Sequence, residues 1–225
     1  RLLAEIERKL TLSINGTLAS LASSKTLWLK RSHDNSLFKN LLSEFVFFLI
    51  IIKVMKHLYL LRHAKSSWDD PSLNDYERPL SKRGINNCNK IETFLSQKKI
   101  IPDISYVSSA RRTVDTFNLL LGKTLRTSSK VVFSKKLYLC DEIYLFDLIK
   151  NTENNYSNIL IVNHEPTIRN LTMDLSVPTK DEKYLNIKNK FPTGSLAILK
   201  SDLKDWSDLK YNSFKVTDFV RPRFL

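Results

Sequence analysis

LYLLRHAKSSWDD, residues 58–70, is the stretch whose reading decides the fold. Four apolar residues suited to a buried strand run directly into Arg62 and His63. The predicted strand, over residues 57–61, therefore delivers two basic side chains at its carboxyl end. A guanidinium and an imidazole placed there lose hydration and repel each other unless an anion compensates them.

Outward from this strand the punctuation is regular. Ser81 and Gly84 open a predicted helix that carries Ile85, Cys88, Ile91 and Leu95 on one face. DISYVSS, residues 103–109, reads as the next strand, and Val114, Phe117 and Leu121 mark the following helix. KVVF near Val131 is a third strand, followed by a helix opened by Asp141 and carrying Ile143, Phe146 and Ile149. NILIV, residues 158–162, is a continuous apolar strand. Pro166 suits the first turn of a helix bearing Ile168, Leu171 and Leu175. Two late strands are predicted over residues 195–199 and about 213–219. Strands alternating with amphipathic helices predict an α/β fold of three layers, α/β/α, around a mostly parallel central sheet. Continuous apolar runs agree with strands buried on both faces.

The 225 residues suffice for one substantial α/β domain. Lys and Arg outnumber Asp and Glu by 36 to 23, a formal net charge of +13, which favours anionic partners. The excess is spread along the whole chain, so it reads as a solvated basic surface rather than a nucleic-acid groove. Neither nucleic acid nor a membrane is expected as a partner. Cys88 and Cys140 stand far apart with no CxxC spacing, which excludes a disulfide framework and a zinc site and suits a reducing cytoplasm.

Residues 1–54 read differently. They are Ser- and Thr-rich with loose helical periodicity and reach an apolar run over residues 45–52, far short of the roughly 20 residues a membrane helix needs. Met55 and Lys56 lead directly into the first strand. Residues 1–54 are expected to be a non-native or upstream-translated extension, poorly packed or helical, and residues 55–225 the domain.

In a parallel sheet, ligands bind beyond the carboxyl ends of the strands, near the point where strand order reverses. Arg62 and His63 follow the first strand, Arg111 and Arg112 follow the second just past Ser108 and Ser109, and His164 follows the fourth. Taken singly, each has an ordinary structural reading as a capped histidine or a solvated arginine. Gathered at one edge they make sense around a phosphate dianion, whose oxygens arginine forks match bidentately.

With those residues in hand, LYLLRHAKSSWDD…RPLSKRG, VSSARRTVDT, LIVNHEPTI and PTGSLAIL resemble the histidine phosphatase superfamily, most closely its SixA-like phosphohistidine phosphatase branch. The resemblance covers about Met55 to the C-terminus. It implies a phosphoglycerate mutase-like fold, a phosphohistidine enzyme intermediate, and no metal or organic cofactor. Residue by residue, it makes His63 the nucleophile and Arg62 its phosphate-binding neighbour, with Arg112, selected by Thr116, and His164 completing the catalytic set. Arg78, Lys65 and Ser108 are expected at the substrate. The family's general acid has no clear counterpart; Glu142 is the possible acid, beside Asp141 as a helix cap. The departures are Ala64 for the usual Gly, Asn163 before the second His, and Asp115 for a Gln. The expected substrate is protein phosphohistidine, with a small phosphate ester or polyphosphate as the alternative, and a monomer is expected. From another class, a basic module that binds phosphate or nucleic acid without catalysis would place aromatic and basic residues together on an exposed face, whereas the aromatics here occupy core-like periodic positions.

Overall fold

The computed structural model describes residues 55–120 and 130–225. The predicted extension over residues 1–54 and Leu121 of the second predicted helix lie outside the described residues. Six strands form one sheet in the order β3-β2-β4-β1-β5-β6. They are β1 (Lys56–Arg62), β2 (Ile104–Ser108), β3 (Lys130–Ser134), β4 (Asn158–Asn163), β5 (Leu196–Ser201) and β6 (Lys215–Val220). Strands β1 to β4 run parallel, while β5 runs antiparallel to both β1 and β6. The sheet is mostly parallel, and the fold is three-layered α/β.

Alternation along each strand divides the core in two, because successive side chains point to opposite faces. Leu58, Leu60, Ile159, Ile161, Ala197 and Leu199 face one layer, where Leu145, Ile149, Ile168, Leu171, Leu175, Ile187, Trp206 and Phe214 are buried with them. These belong largely to α3 (Glu142–Lys150), α4 (Thr167–Leu175) and α5 (Glu182–Asn189). Tyr59, Leu61, Leu160, Val162, Leu196 and Ile198 face the other layer, against Cys88, Ile91 and Leu95 of α1 (Lys82–Gln97) and Phe117 and Leu120 of α2 (Arg111–Leu120). Each such aliphatic side chain contributes about 1.5–3 kcal/mol on full burial. Helices on both faces leave the strand ends as the place for chemistry.

Some elements differ from the sequence expectation. Ile85 is 43% exposed, and Gly84 takes its place on the buried face of α1. The reason is close approach: a Cβ on Gly84 would lie 2.1 Å from the Lys65 carbonyl oxygen, so the helix rests directly on the backbone there. Ile143 is exposed on α3, whose buried residues are Leu145 and Ile149. Pro166 stands just before α4, after a cis Glu165–Pro166 bond. Helix α5 was not anticipated, since only Tyr184 and Ile187 in it are buried. Asp141 caps α3 as expected, its side chain accepting from the Tyr144 amide at 2.8 Å. Among the described residues no helix is long and apolar enough to cross a membrane.

Candidate active site

Strand order reverses beside β1 and β4, the central pair, which lie in register with Arg62 opposite Asn163. Their carboxyl ends carry Arg62–His63 and Asn163–His164 side by side. The amide of His63 donates to the Asn163 carbonyl at 3.0 Å, which fixes the two exits to one another. The rings of His63 and His164 stand 5.1 Å apart between centroids, tilted by 55°.

The tautomer of each ring follows from its partners. Nδ1 of His63 lies 2.8 Å from the Ala64 carbonyl oxygen, which can only accept, so Nδ1 carries the proton and Nε2 keeps its lone pair. Nδ1 of His164 lies 3.3 Å from an Arg112 terminal nitrogen, which can only donate. Nδ1 of His164 is therefore the acceptor, and Nε2–H donates to Ser108 Oγ at 2.9 Å. Burial is the main cause that lowers the pKa of both imidazoles to about 3; the charge on Arg112 and Arg62 acts on both, and His63 adds to the effect on His164. Both rings are neutral at pH 7, and Nε2 of His63 keeps its lone pair.

Arg62 extends from β1 and donates to the Phe191 carbonyl at 2.7 Å, while its Nε is buried with no hydrogen-bond partner among the described residues. An orphaned buried donor of this kind is what an anion-binding guanidinium leaves for its ligand. Arg112 comes from the first turn of α2 and is buried. Thr116, one turn on, donates to the Arg112 carbonyl at 2.6 Å and accepts from the Ala64 amide at 3.0 Å, so one hydroxyl ties α2 to the loop that holds His63. Gly194 closes the loop from behind: its amide donates to the carbonyls of Arg62 and His63 with φ at +76°, a conformation that favours glycine.

The three departures have local accounts. Ala64 is fully buried and makes the Thr116 contact. Asn163 caps its own turn, Oδ1 accepting from the His164 amide at 2.7 Å. Asp115 faces outward, 3.8 Å from Arg111 Nε, and does not enter the cluster.

The other expected residues divide. Ser108 lies behind His164, as its hydrogen bond shows, and Lys65 is exposed, with its carbonyl accepting from the Ser81 amide and hydroxyl at 2.9 and 3.0 Å. Arg78 is buried against Trp68, its guanidinium 3.1 Å from the ring centroid, and donates to Ser66 Oγ, Ser67 O and Asp75 Oδ1. Glu142 lines a cavity of about 250 Å³ with His164, Glu165 and Leu139, and accepts from Asn170 at 3.3 Å.

Two residues at the site were missed. Asp75 sits between the arginines: Oδ2 accepts from Arg112 at 2.9 Å and from the Tyr138 hydroxyl at 2.7 Å, Oδ1 accepts from Arg78 at 2.9 Å, and its carbonyl accepts from Arg112 Nη1. Tyr138 stacks edge-on to His164, with centroids 5.4 Å apart. The spacing of Asp75 three residues before Arg78 was the one signal available, shared with many solvated pairs.

Two imidazoles and two guanidiniums meet at the ends of the central strands of this fold, and residues 58–135 match the family model of the histidine phosphatase superfamily (branch 1). A chloroplastic uncharacterized protein of Arabidopsis thaliana is 46% identical over 63 residues, 28% of this chain and 29% of that protein. The uncharacterized protein Rv1276c of Mycobacterium tuberculosis is 28% identical over 165 residues, 72% of this chain and 100% of its own length. Among solved structures, a SixA phosphohistidine phosphatase candidate from Nakamurella multipartitia superposes with a TM-score of 0.64 at 21% identity, covering 75% of this chain and 96% of that one. The protein histidine phosphatase SixA complexed with tungstate gives 0.57 at 20% identity, covering 75% and 98%. The fold is phosphoglycerate mutase-like, as expected.

Proposed function

We propose that the chain is a phosphohydrolase that works through a phosphohistidine intermediate on His63 and dephosphorylates protein phosphohistidine. The observation that carries the reading is the His63 tautomer: Nδ1–H is committed to Ala64 O, and the free Nε2 belongs to a ring 5.1 Å from His164, in a cluster with Arg62 and Arg112. The family-model match over residues 58–135 and the fold shared with SixA support it.

Nε2 attacks phosphorus in line with the departing group. Arg62, Arg112 and His164 hold the equatorial oxygens, where charge is spread in a loose transition state. The imidazolium of phospho-His63 keeps its Nδ1–H on Ala64 O. Water then attacks phosphorus, the P–N bond breaks, and its electron pair returns to Nε2. Guanidiniums supply the charge neutralisation, so the reaction is expected to proceed in EDTA. A protonated imidazole is a good leaving group, which suits protein phosphohistidine as substrate.

The test is hydrolysis of a phosphorylated histidine-containing domain and of p-nitrophenyl phosphate in EDTA, by wild type and His63→Ala. Turnover by wild type and none by the variant is expected. Activity that survives in His63→Ala removes the nucleophile, and loss in EDTA removes the metal-free scheme.

A further inference from the structure

We propose that Pro222, held in place by Lys90, is a positioning residue for the Arg62–His63 pair and acts on it through Gly194. The inference rests on the phosphohydrolase reading above and concerns the same site.

One short segment, residues 191–195, holds the pair. The Gly194 amide donates to the Arg62 carbonyl at 3.2 Å and to the His63 carbonyl at 3.0 Å, and the Ser195 carbonyl accepts from the Arg62 amide at 3.1 Å. The Phe191 carbonyl accepts from the Arg62 guanidinium at 2.7 Å. Backbone and side chain of the pair are thus referred to this segment. It is a turn between α5 and β5, so its own place is set by what packs behind it.

Two contacts from the end of β6 set it. The buried Phe191 ring meets Phe219 edge-on, with centroids 5.1 Å apart. Pro222 lies so close to Gly194 that a Cβ added there would stand 3.2 Å from Pro222 Cγ and 3.6 Å from Asn87 Cβ of α1. The same Cβ would stand 3.8 Å from the Ala64 Cα. Gly194 therefore fits between Pro222 and the residue whose carbonyl takes the His63 Nδ1 proton. Pro222 is buried, and its ring fixes φ, so it is a stiff wedge in a close-packed interior.

Lys90 secures the wedge. Its Nζ, from α1, donates to the Pro222 carbonyl at 3.2 Å and to the Leu225 backbone oxygen at 2.6 Å. Residues 223–225 are exposed, so Pro222 is the member of this turn that reaches inward. Helix α1 thereby supports the His63 loop twice, through Gly84 at the Lys65 carbonyl and through Lys90 at Pro222. Arg112 and His164 come from α2 and the end of β4 and do not depend on this support. Loosening it displaces the attacking nitrogen while part of the phosphate grip remains, so the loss falls on kcat rather than KM.

The experiment measures kcat and KM on p-nitrophenyl phosphate at a temperature where the variants are folded. It also follows the His63 Nδ1–H resonance by NMR on protein with nitrogen-15-labelled histidine, assigned with His63→Ala. Pro222→Ala, which trims the wedge, and Lys90→Met, which frees it, are expected to lower kcat about five- to fiftyfold, to keep KM within about threefold and to shift the resonance. Lys90→Arg, which keeps a donor, recovers most of kcat. Arg223→Ala, an exposed neighbour, stays within about twofold with the resonance unmoved. Lys90→Met carries the test if Pro222→Ala does not fold. A lowered melting temperature with kcat and the resonance unchanged overturns the proposal, since that would report stability alone. A loss confined to KM, or an equal loss in Arg223→Ala, overturns it too. A wild type inactive on p-nitrophenyl phosphate and on phosphohistidine overturns the phosphohydrolase reading, while the resonance still decides whether Pro222 and Lys90 position His63.

Discussion

The hydroxyl of Thr116 accepts the Ala64 amide at 3.0 Å while it donates to the Arg112 carbonyl at 2.6 Å. Ala64 in turn holds the Nδ1 proton of His63. His63, the proposed nucleophile, and the buried Arg112 are therefore joined through a single side chain, although 49 residues separate them in sequence (112 − 63). Thr116→Val removes both bonds and leaves the buried Ala64 amide unpaired, a cost of about 1–3 kcal/mol. Thermal melting should show that loss. kcat on p-nitrophenyl phosphate should fall more than stability alone explains at temperatures where the variant is folded; an unchanged kcat would mean that the loop does not depend on Thr116.

Arg111 and Arg112 are adjacent but not equivalent. Arg112 is buried within the cluster, whereas Arg111 is exposed and lies 3.8 Å from Asp115. Arg112→Ala should reduce kcat/KM by about 10²–10³-fold, the usual cost of losing one preorganised donor to a developing oxyanion. Arg111→Ala should leave kcat/KM within about threefold and stability within about 1 kcal/mol, as exposed ion pairs do. Equal losses in the two variants would assign the second-strand arginine wrongly.

Stability should depend on pH through the two imidazoles. Both have folded values near 3, below the ordinary 6.5, chiefly because they are buried. Between those values the unfolded chain binds more protons than the folded one, so stability rises with pH across the window and is lost as pH falls from about 6.5 towards 3. His57, also lowered chiefly by burial, adds in the same direction. Asp75, held below its ordinary value, contributes stability above 3.8 that is lost as pH falls further. Melting curves at pH 7.5, 6 and 4.5 should show a steady fall, and His164→Gln should flatten it. A melting temperature that does not change across that range would contradict neutral buried rings.

The sheet and the cluster at its edge were legible in the sequence because each key residue follows an apolar run. Arg62 is the last residue of β1, His63 follows it and His164 follows β4, and parallel topology sends such ends to one place. Thr116 was legible only through the family pattern; its physical task, joining Ala64 to Arg112, requires the fold. Asp75 and Tyr138 were not legible. Asp75 is one of four acidic residues between positions 69 and 77, on a three-residue turn with no apolar periodicity around it. Tyr138 reads as one more aromatic after a short strand, and what distinguishes it is a contact 63 residues away. Ile85 was misplaced because periodicity predicts which residues share a face but not that a bare glycine is needed where helix meets backbone.

Gly84 therefore offers a test of how the fold supports the site from below. Its amide meets the cap Ser81 Oγ at 3.1 Å, and an added Cβ would lie 2.1 Å from the Lys65 carbonyl, two residues beyond His63. That carbonyl is also the acceptor for both the amide and hydroxyl of Ser81, so it cannot rotate away without breaking the start of α1. Helix propensity alone makes Gly→Ala favourable by about 0.5–1 kcal/mol in an ordinary helix. Here steric conflict wins: Gly84→Ala should destabilise by about 1–3 kcal/mol, as overpacked sites do. At roughly 2–4 °C per kcal/mol for a domain of this size, the melting temperature should drop measurably. Asn86→Ala, at an exposed position of the same helix, is the control and should be neutral or slightly stabilising. The displaced carbonyl should also carry over to the segment holding His63 and lower kcat on p-nitrophenyl phosphate. If Gly84→Ala were as stable and as active as the Asn86 control, α1 would not press on the Lys65 backbone.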